Sequence, residues 1–163
     1  MSQQSSHCQN LYGKEVAVPV EPMTTWLNAV VDKLVNSNVI AEENRYNSAL
    51  INIYPIGGAI FPHVDDFPSF ERNIATIRLF APTVMSFGYA GADNKANAKK
   101  GNKHFRMNLP VGSVVIMSGF AASRITHAIF QEDVTQETVS ITLRKILPEY
   151  LPNIYDSYEK IKT

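Results

Sequence analysis

Between positions 24 and 36 the apolar residues recur three and four apart: Trp26, Leu27, Val30, Val31, Leu34 and Val35. That spacing predicts a helix with one apolar face. Glu21-Pro22-Met23-Thr24 opens it, with Thr24 or Thr25 as the N-cap, and Asn36-Ser37-Asn38 closes it. Its simplest role is a brace on a sheet. After it the pattern shortens. Ala49 to Tyr54, Ile60 to Asp65, Ile74 to Phe80, Thr83 to Tyr89, Phe105 to Leu109, Ser113 to Met117, Arg124 to Phe130 and Thr138 to Ile146 are short β-type runs. Pro55-Ile56-Gly57-Gly58 and Pro110-Val111-Gly112 punctuate them as turns. Gly91 to Lys103 is polar and reads as a long loop inside a hairpin. Many short strands after one helix predict a mainly β sandwich or barrel with helical support.

The 163 residues fit one domain. It is expected over 11–147, after a flexible leader at 1–10 and before a tail at 148–163 that carries Tyr150, Tyr155 and Tyr158. Apolar residues make up 45% and charged residues 18%, enough apolar material for a real core. No apolar run approaches the ~20 residues of a membrane span, and the polar Met1 to Asn10 lacks an apolar signal core. The single cysteine, Cys8, excludes an internal disulfide and fits a reducing, intracellular setting. Fifteen Lys and Arg balance fifteen Asp and Glu. Composition therefore gives no support to a nucleic-acid partner, since phosphate contacts call for a basic excess. The expected state is a monomer without a membrane partner.

The chemistry concentrates in His63-Val64-Asp65. On a strand, residues two apart share a face, so both side chains can reach one ion. His127 lies in another strand-like run, Ile125-Thr126-His127-Ala128-Ile129. Two histidines and a carboxylate form the facial triad of non-haem Fe(II) oxygenases, which leaves coordination positions open. A His-x-Asp pair alone arises often by chance, and a lone strand histidine is more often a satisfied core residue. The surrounding pattern decides.

Asn52-x-Tyr54, then Gly57, Ile60 and His63-x-Asp65 resemble the AlkB family of Fe(II)/2-oxoglutarate dioxygenases. Asn47-Ser48-Ala49, Phe70-Glu71-Arg72, Gly112-Ser113-Val114, Met117-Ser118-Gly119, Ile125-Thr126-His127 and Leu143-Arg144-Lys145 follow the same family order. The likeness spans roughly residues 12–146 and is greatest to the branch that demethylates N6-methyladenosine in single-stranded RNA. It implies a double-stranded β-helix, a cupin-like jelly roll. It implies Fe(II) on His63, Asp65 and His127, with Asn52, Tyr54 and Arg144 holding 2-oxoglutarate and ascorbate as a stimulant. The 2-oxo acid would be oxidised to succinate and CO₂ while an N-methyl group is hydroxylated and lost as formaldehyde. For each cosubstrate residue a structural role is the alternative: a strand amide for Asn52, sheet packing for Tyr54, a surface ion pair for Arg144. Gly57 and Gly58 read as turn glycines.

Two departures matter. Family members carry two arginines six positions apart on the last core strand, the first meeting the distal carboxylate of 2-oxoglutarate. Here the second is Arg144, and the first position holds Thr138. Either another cation replaces it, or 2-oxoglutarate binds weakly, or the chain is a catalytically impaired metal-binding interaction module. Arg78, on an otherwise mostly apolar strand, is the candidate replacement, with Thr138 adding a hydroxyl donor; Arg124 is the fallback. The alternative is an Arg78 that points to solvent. The segment before the helix is also short, leaving Tyr12-Gly13-Lys14 as candidate substrate contacts. Tyr12 either stacks on a base or staples the leader. The lysines at 95, 99, 100 and 103 either meet phosphate or simply solvate their loop. A protein or small-molecule substrate is the competing expectation for an active enzyme.

Overall fold

The computed structural model describes residues 22–65, 69–89 and 105–150, together with the backbone of two short strands near the N-terminus. Those two are β1 (Cys8–Gln9) and β2 (Glu15–Val16), paired antiparallel within and just beyond the stretch expected as leader. The polar loop with its four lysines, Tyr12, Lys14, Tyr155 and Tyr158 lie outside the described residues.

Helix α1 (Thr25–Asn36) forms where the periodicity places it. Thr24 is its N-cap by position, but its hydroxyl makes no cap bond; the Asn28 amide instead donates to the Met23 carbonyl at 3.1 Å. Leu27, Val31 and Leu34 form the buried stripe, flanked by Val30 and Val35. Trp26, expected on that face, is 51% exposed. One residue step turns the helix by about 100°, which carries Trp26 off the stripe.

Eight strands follow: β3 (Ser48–Tyr54), β4 (Ile60–His63), β5 (Asn73–Leu79), β6 (Thr83–Tyr89), β7 (Phe105–Leu109), β8 (Val114–Ser118), β9 (Ile125–Ile129) and β10 (Thr138–Arg144). They form two antiparallel four-stranded sheets, β3-β10-β5-β8 and β4-β9-β6-β7. The strand pattern predicted a mainly β sandwich or barrel, and the two sheets take the jelly-roll form that the family resemblance implies. A further unexpected element is Gly119–Arg124, a short helix, α2, with Gly119 in the left-handed region at φ 52° and Ser123 Oγ donating back to the Gly119 carbonyl at 2.8 Å.

The first sheet has two different faces. Ala75, Ile77, Ile141 and Leu143 point to the helix and pack with Leu27, Val31, Leu34, Ile40 and Tyr46. Full burial of a large aliphatic side chain contributes roughly 1.5–3 kcal/mol, so this layer is the main source of stability. The alternate residues point the other way, toward the second sheet. There Ser48, Thr76, Arg78, Thr138, Ser140 and Thr142 are all buried. Two apolar clusters close this interior and tie the sheets together: Tyr54 with Ile129 and Val134, and Ile74 with Met117, Ala122 and Phe87. Between them runs a band of hydroxyls and one guanidinium. A buried polar face is costly unless it has partners, which sets this polar interior, the chamber, apart from the apolar layer on the helix side.

Candidate metal centre

His63 closes β4 and His127 sits in the middle of β9. The two are direct partners in the ladder, with ring centroids 4.3 Å apart. Asp65 lies two residues past His63, beyond the end of the strand that was expected to carry it. Strand alternation therefore does not set its direction; its bonds do. One carboxylate oxygen lies 3.2 Å from His63 Nε2, and the other accepts from Arg144 Nη2 at 2.9 Å. Ligand atoms of His63, Asp65 and His127 all lie within 4.8 Å of one another. On its far side His63 donates its Nδ1–H to the Phe61 carbonyl at 2.8 Å, which leaves Nε2 facing the cluster.

The charges suit a cation. Burial favours the neutral acid of Asp65, but the His63 hydrogen bond and the Arg144 charge outweigh it and hold the carboxyl well below the usual range. For His63 burial disfavours the imidazolium, yet the Asp65 and Phe61 contacts prevail and raise its proton affinity. Burial, and next the neighbouring His63, push His127 down to about 4. At neutral pH His127 is therefore an uncharged imidazole with a lone pair to give. Two imidazoles and one carboxylate on converging atoms match a first-row divalent metal with open positions. A cleft beside Asp65 and Arg144 is lined by Phe70, Glu71, Arg72, Ile74 and Ala122.

The rest of the candidate site follows the register of the first sheet. Arg78, Ser140 and Asn52 form one row across β5, β10 and β3; Thr138 and Tyr54 form the next. Tyr54 is buried and its hydroxyl lies 3.5 Å from Ser140 Oγ, while Asn52 is half-buried. Arg78 is 1% exposed, so the solvent-facing alternative is excluded. Its guanidinium carbon lies 5.3 Å from the Tyr54 ring centroid, and Nη1 donates to Thr138 Oγ1 at 3.3 Å. Its Nε and Nη2 have no hydrogen-bond partner among the described residues. Burial lowers its proton affinity, opposed by Tyr54. A buried cation with two unused donors fits a carboxylate ligand.

Three expectations change. Arg124 ends α2 and is exposed, so it is not a second cation of the chamber. Thr138 Oγ1 lies 2.9 Å from the Leu79 carbonyl and 2.8 Å from the Ala81 carbonyl. Its one hydrogen is taken there, so it is not a donor to a ligand. Arg144, 12% exposed in its side chain, sits over the Phe70 ring at 5.3 Å and bonds Asp65. It is thus not a surface ion pair. Sequence reasoning missed Thr76, Ser140 and Thr142. The signal was present: Thr138, Ser140, Thr142 and Arg144 put a polar residue at every second position of the last strand.

Comparison with known proteins agrees with this geometry. Residues 3–144 match the 2OG-Fe(II) oxygenase superfamily. The chain is 37% identical over 134 residues to the RNA demethylase ALKBH5 of Bos taurus, covering 77% of this chain and 32% of that protein. It is 33% identical over 137 residues to ALKBH5 of Xenopus tropicalis (80% and 36% covered) and 28% identical over 127 residues to the RNA demethylase ALKBH9B of Arabidopsis thaliana (78% and 24% covered). The chain thus spans about a third of the length of the first two relatives and less of the third. The structure of OsALKBH1 superposes with a TM-score of 0.53 at 14% identity, over 76% of this chain and 64% of that one, which supports the shared fold. The chain belongs to the 2OG-Fe(II) oxygenase superfamily.

Proposed function

We propose that this chain is an Fe(II)- and 2-oxoglutarate-dependent oxidative demethylase of N-methylated nucleobases, with N6-methyladenosine in single-stranded RNA as its leading substrate. The observation that carries the reading is the convergence of His63, Asp65 and His127 into one ligand cluster, in a fold whose first sheet also holds a buried cation, Arg78. The names of the AlkB-like relatives support the substrate class.

In this reading His63, Asp65 and His127 hold the metal. Arg144 fixes the Asp65 carboxylate and, with Asn52 and Tyr54, lines the path of the 2-oxo acid. When bound, Fe(II) and 2-oxoglutarate supply the oxidation that hydroxylates the N-methyl group, which then leaves as formaldehyde, with ascorbate as a stimulant. The protein's part is position: the Phe61 carbonyl and Arg144 lock two of the three ligands in orientation before the metal arrives. A single strand presents its bases without the few kcal/mol that opening a duplex requires. With no net charge to draw phosphate in general, recognition rests on local contacts, for which Tyr12 and Lys14 are proposed. We place the protein inside the cell, as a monomer free of membranes.

The test is incubation with Fe(II), 2-oxoglutarate, ascorbate and methylated oligonucleotides, followed by mass spectrometry. Loss of the methyl group with matching succinate is expected. Succinate without demethylation of any oligonucleotide, while a peptide or metabolite is hydroxylated, overturns the substrate and leaves the oxygenase. No succinate at all overturns the activity.

A further inference from the structure

We infer that Arg78 on β5 is the anchor for the distal carboxylate of 2-oxoglutarate in this chain, and that Thr138 on β10 is the bracket that aims it. The inference rests on the cosubstrate reading above and adds where its far end is held.

Register explains how one strand can stand in for its neighbour. Arg78 pairs with Ser140, so Thr138 is its diagonal neighbour on the same inner face. Diagonal neighbours are about 7–8 Å apart at the backbone, within reach of a long side chain. Arg78 reaches across that diagonal and sets Nη1 3.3 Å from Thr138 Oγ1. Thr138, fully buried and bonded to the Leu79 and Ala81 carbonyls, is oriented to accept it. The guanidinium therefore stands against β10 beside position 138. The room for it exists because position 138 is small. An arginine at 138 and Arg78 would crowd two cations into one buried place.

The remaining donors point to a ligand. Nη1 is used, while Nε and Nη2 have no partner among the described residues. Two adjacent N–H groups of one guanidinium form the planar fork that binds a carboxylate bidentately. An arginine buried without an anion is a burden on the fold, and this one has no other described carboxylate beside it.

The experiment measures binding, not turnover, with Mn(II) in place of iron. Two probes are titrated by calorimetry: 2-oxoglutarate, and 2-oxopentanoate, which has the same chain length but no distal carboxylate. Wild type should prefer 2-oxoglutarate at least tenfold, on the order of 1.4 kcal/mol. Arg78→Met should abolish that preference while changing 2-oxopentanoate affinity less than threefold. It should also melt no lower than wild type without ligand. Arg78→Gln provides the same comparison if the Met variant does not fold. Thr138→Arg alone should lower the melting temperature, and Arg78→Ser/Thr138→Arg should regain part of the preference. Retention of the preference in Arg78→Met and Arg78→Gln overturns the assignment and leaves the oxygenase reading intact. A wild type that binds both probes equally overturns it as well. A wild type that binds neither overturns it together with the cosubstrate reading.

Discussion

His63 and His127 stand opposite each other across the β4–β9 ladder, their ring centroids 4.3 Å apart. Each ring is carried by its own strand, so either can be removed without unmaking the other's support. His63→Ala and His127→Ala should fold and bind Mn(II) more than tenfold more weakly, a loss above about 1.4 kcal/mol. Calorimetric titration checks this; wild-type affinity in both variants would remove the metal centre.

The two histidines respond oppositely to acid. His127 holds its proton far less readily in the fold, at about 4, than in an unfolded chain near 6.5. Its neutral form supports stability fully above roughly pH 6.5, and that support is lost as pH falls toward 4, because the unfolded chain then binds the extra proton. His63 is raised, so its contribution is present at low pH and is lost as pH rises through its folded value. Urea unfolding of the metal-free protein should show the acid loss, on the order of 2 kcal/mol after allowance for water at the mouth of the site. His127→Asn should flatten it. An unchanged pH slope in that variant would assign the loss to other groups.

Asp65 and Arg144 form a largely buried ion pair, 6% and 12% exposed in their side chains. Arg144→Met leaves the carboxylate with its His63 contact alone and should destabilise the metal-free protein by about 3 kcal/mol. Mn(II) supplies the missing positive charge, so its addition should return part of the lost melting temperature. Equal destabilisation with and without Mn(II) would separate the pair from the metal centre.

Leu143 is fully buried on the helix side of β10, one residue from Arg144 on the chamber side. Leu143→Ala should cost about 2–5 kcal/mol in chemical denaturation. Mn(II) affinity of the folded fraction should stay within threefold of wild type. A large drop in affinity would mean that the two faces are not independent.

Much of this was readable from residue order. The 3.6-residue repeat located α1, and the apolar runs located the eight long strands, because burial against a partner imposes those periods. The His63, Asp65 and His127 cluster was legible from residue types and family order. What failed did so for local reasons. Asp65 was expected on the strand because alternation carries no signal for where pairing stops. The helix α2 escaped because its six residues span under two turns, too few for a period to declare itself. The engagement of Thr138 with two carbonyls depends on the turn at Phe80, whose φ of 65° no pattern of polarity encodes. Arg78 gave a clear signal, a charge in an apolar run, but its direction needed the register.

The division of the first sheet into a helix-side layer and a polar interior has a consequence for how such a chain changes over generations. Much of the folding energy lies on the helix side, away from the chamber, so some substitutions inside it can alter what is bound while the chain still folds. A cation can then be lost from one strand and regained on its neighbour in separate steps, through ancestors that still fold. Lineages with this layout are free to move their anchoring charges about the sheet, and the position of an arginine becomes a record of descent as much as a requirement of chemistry.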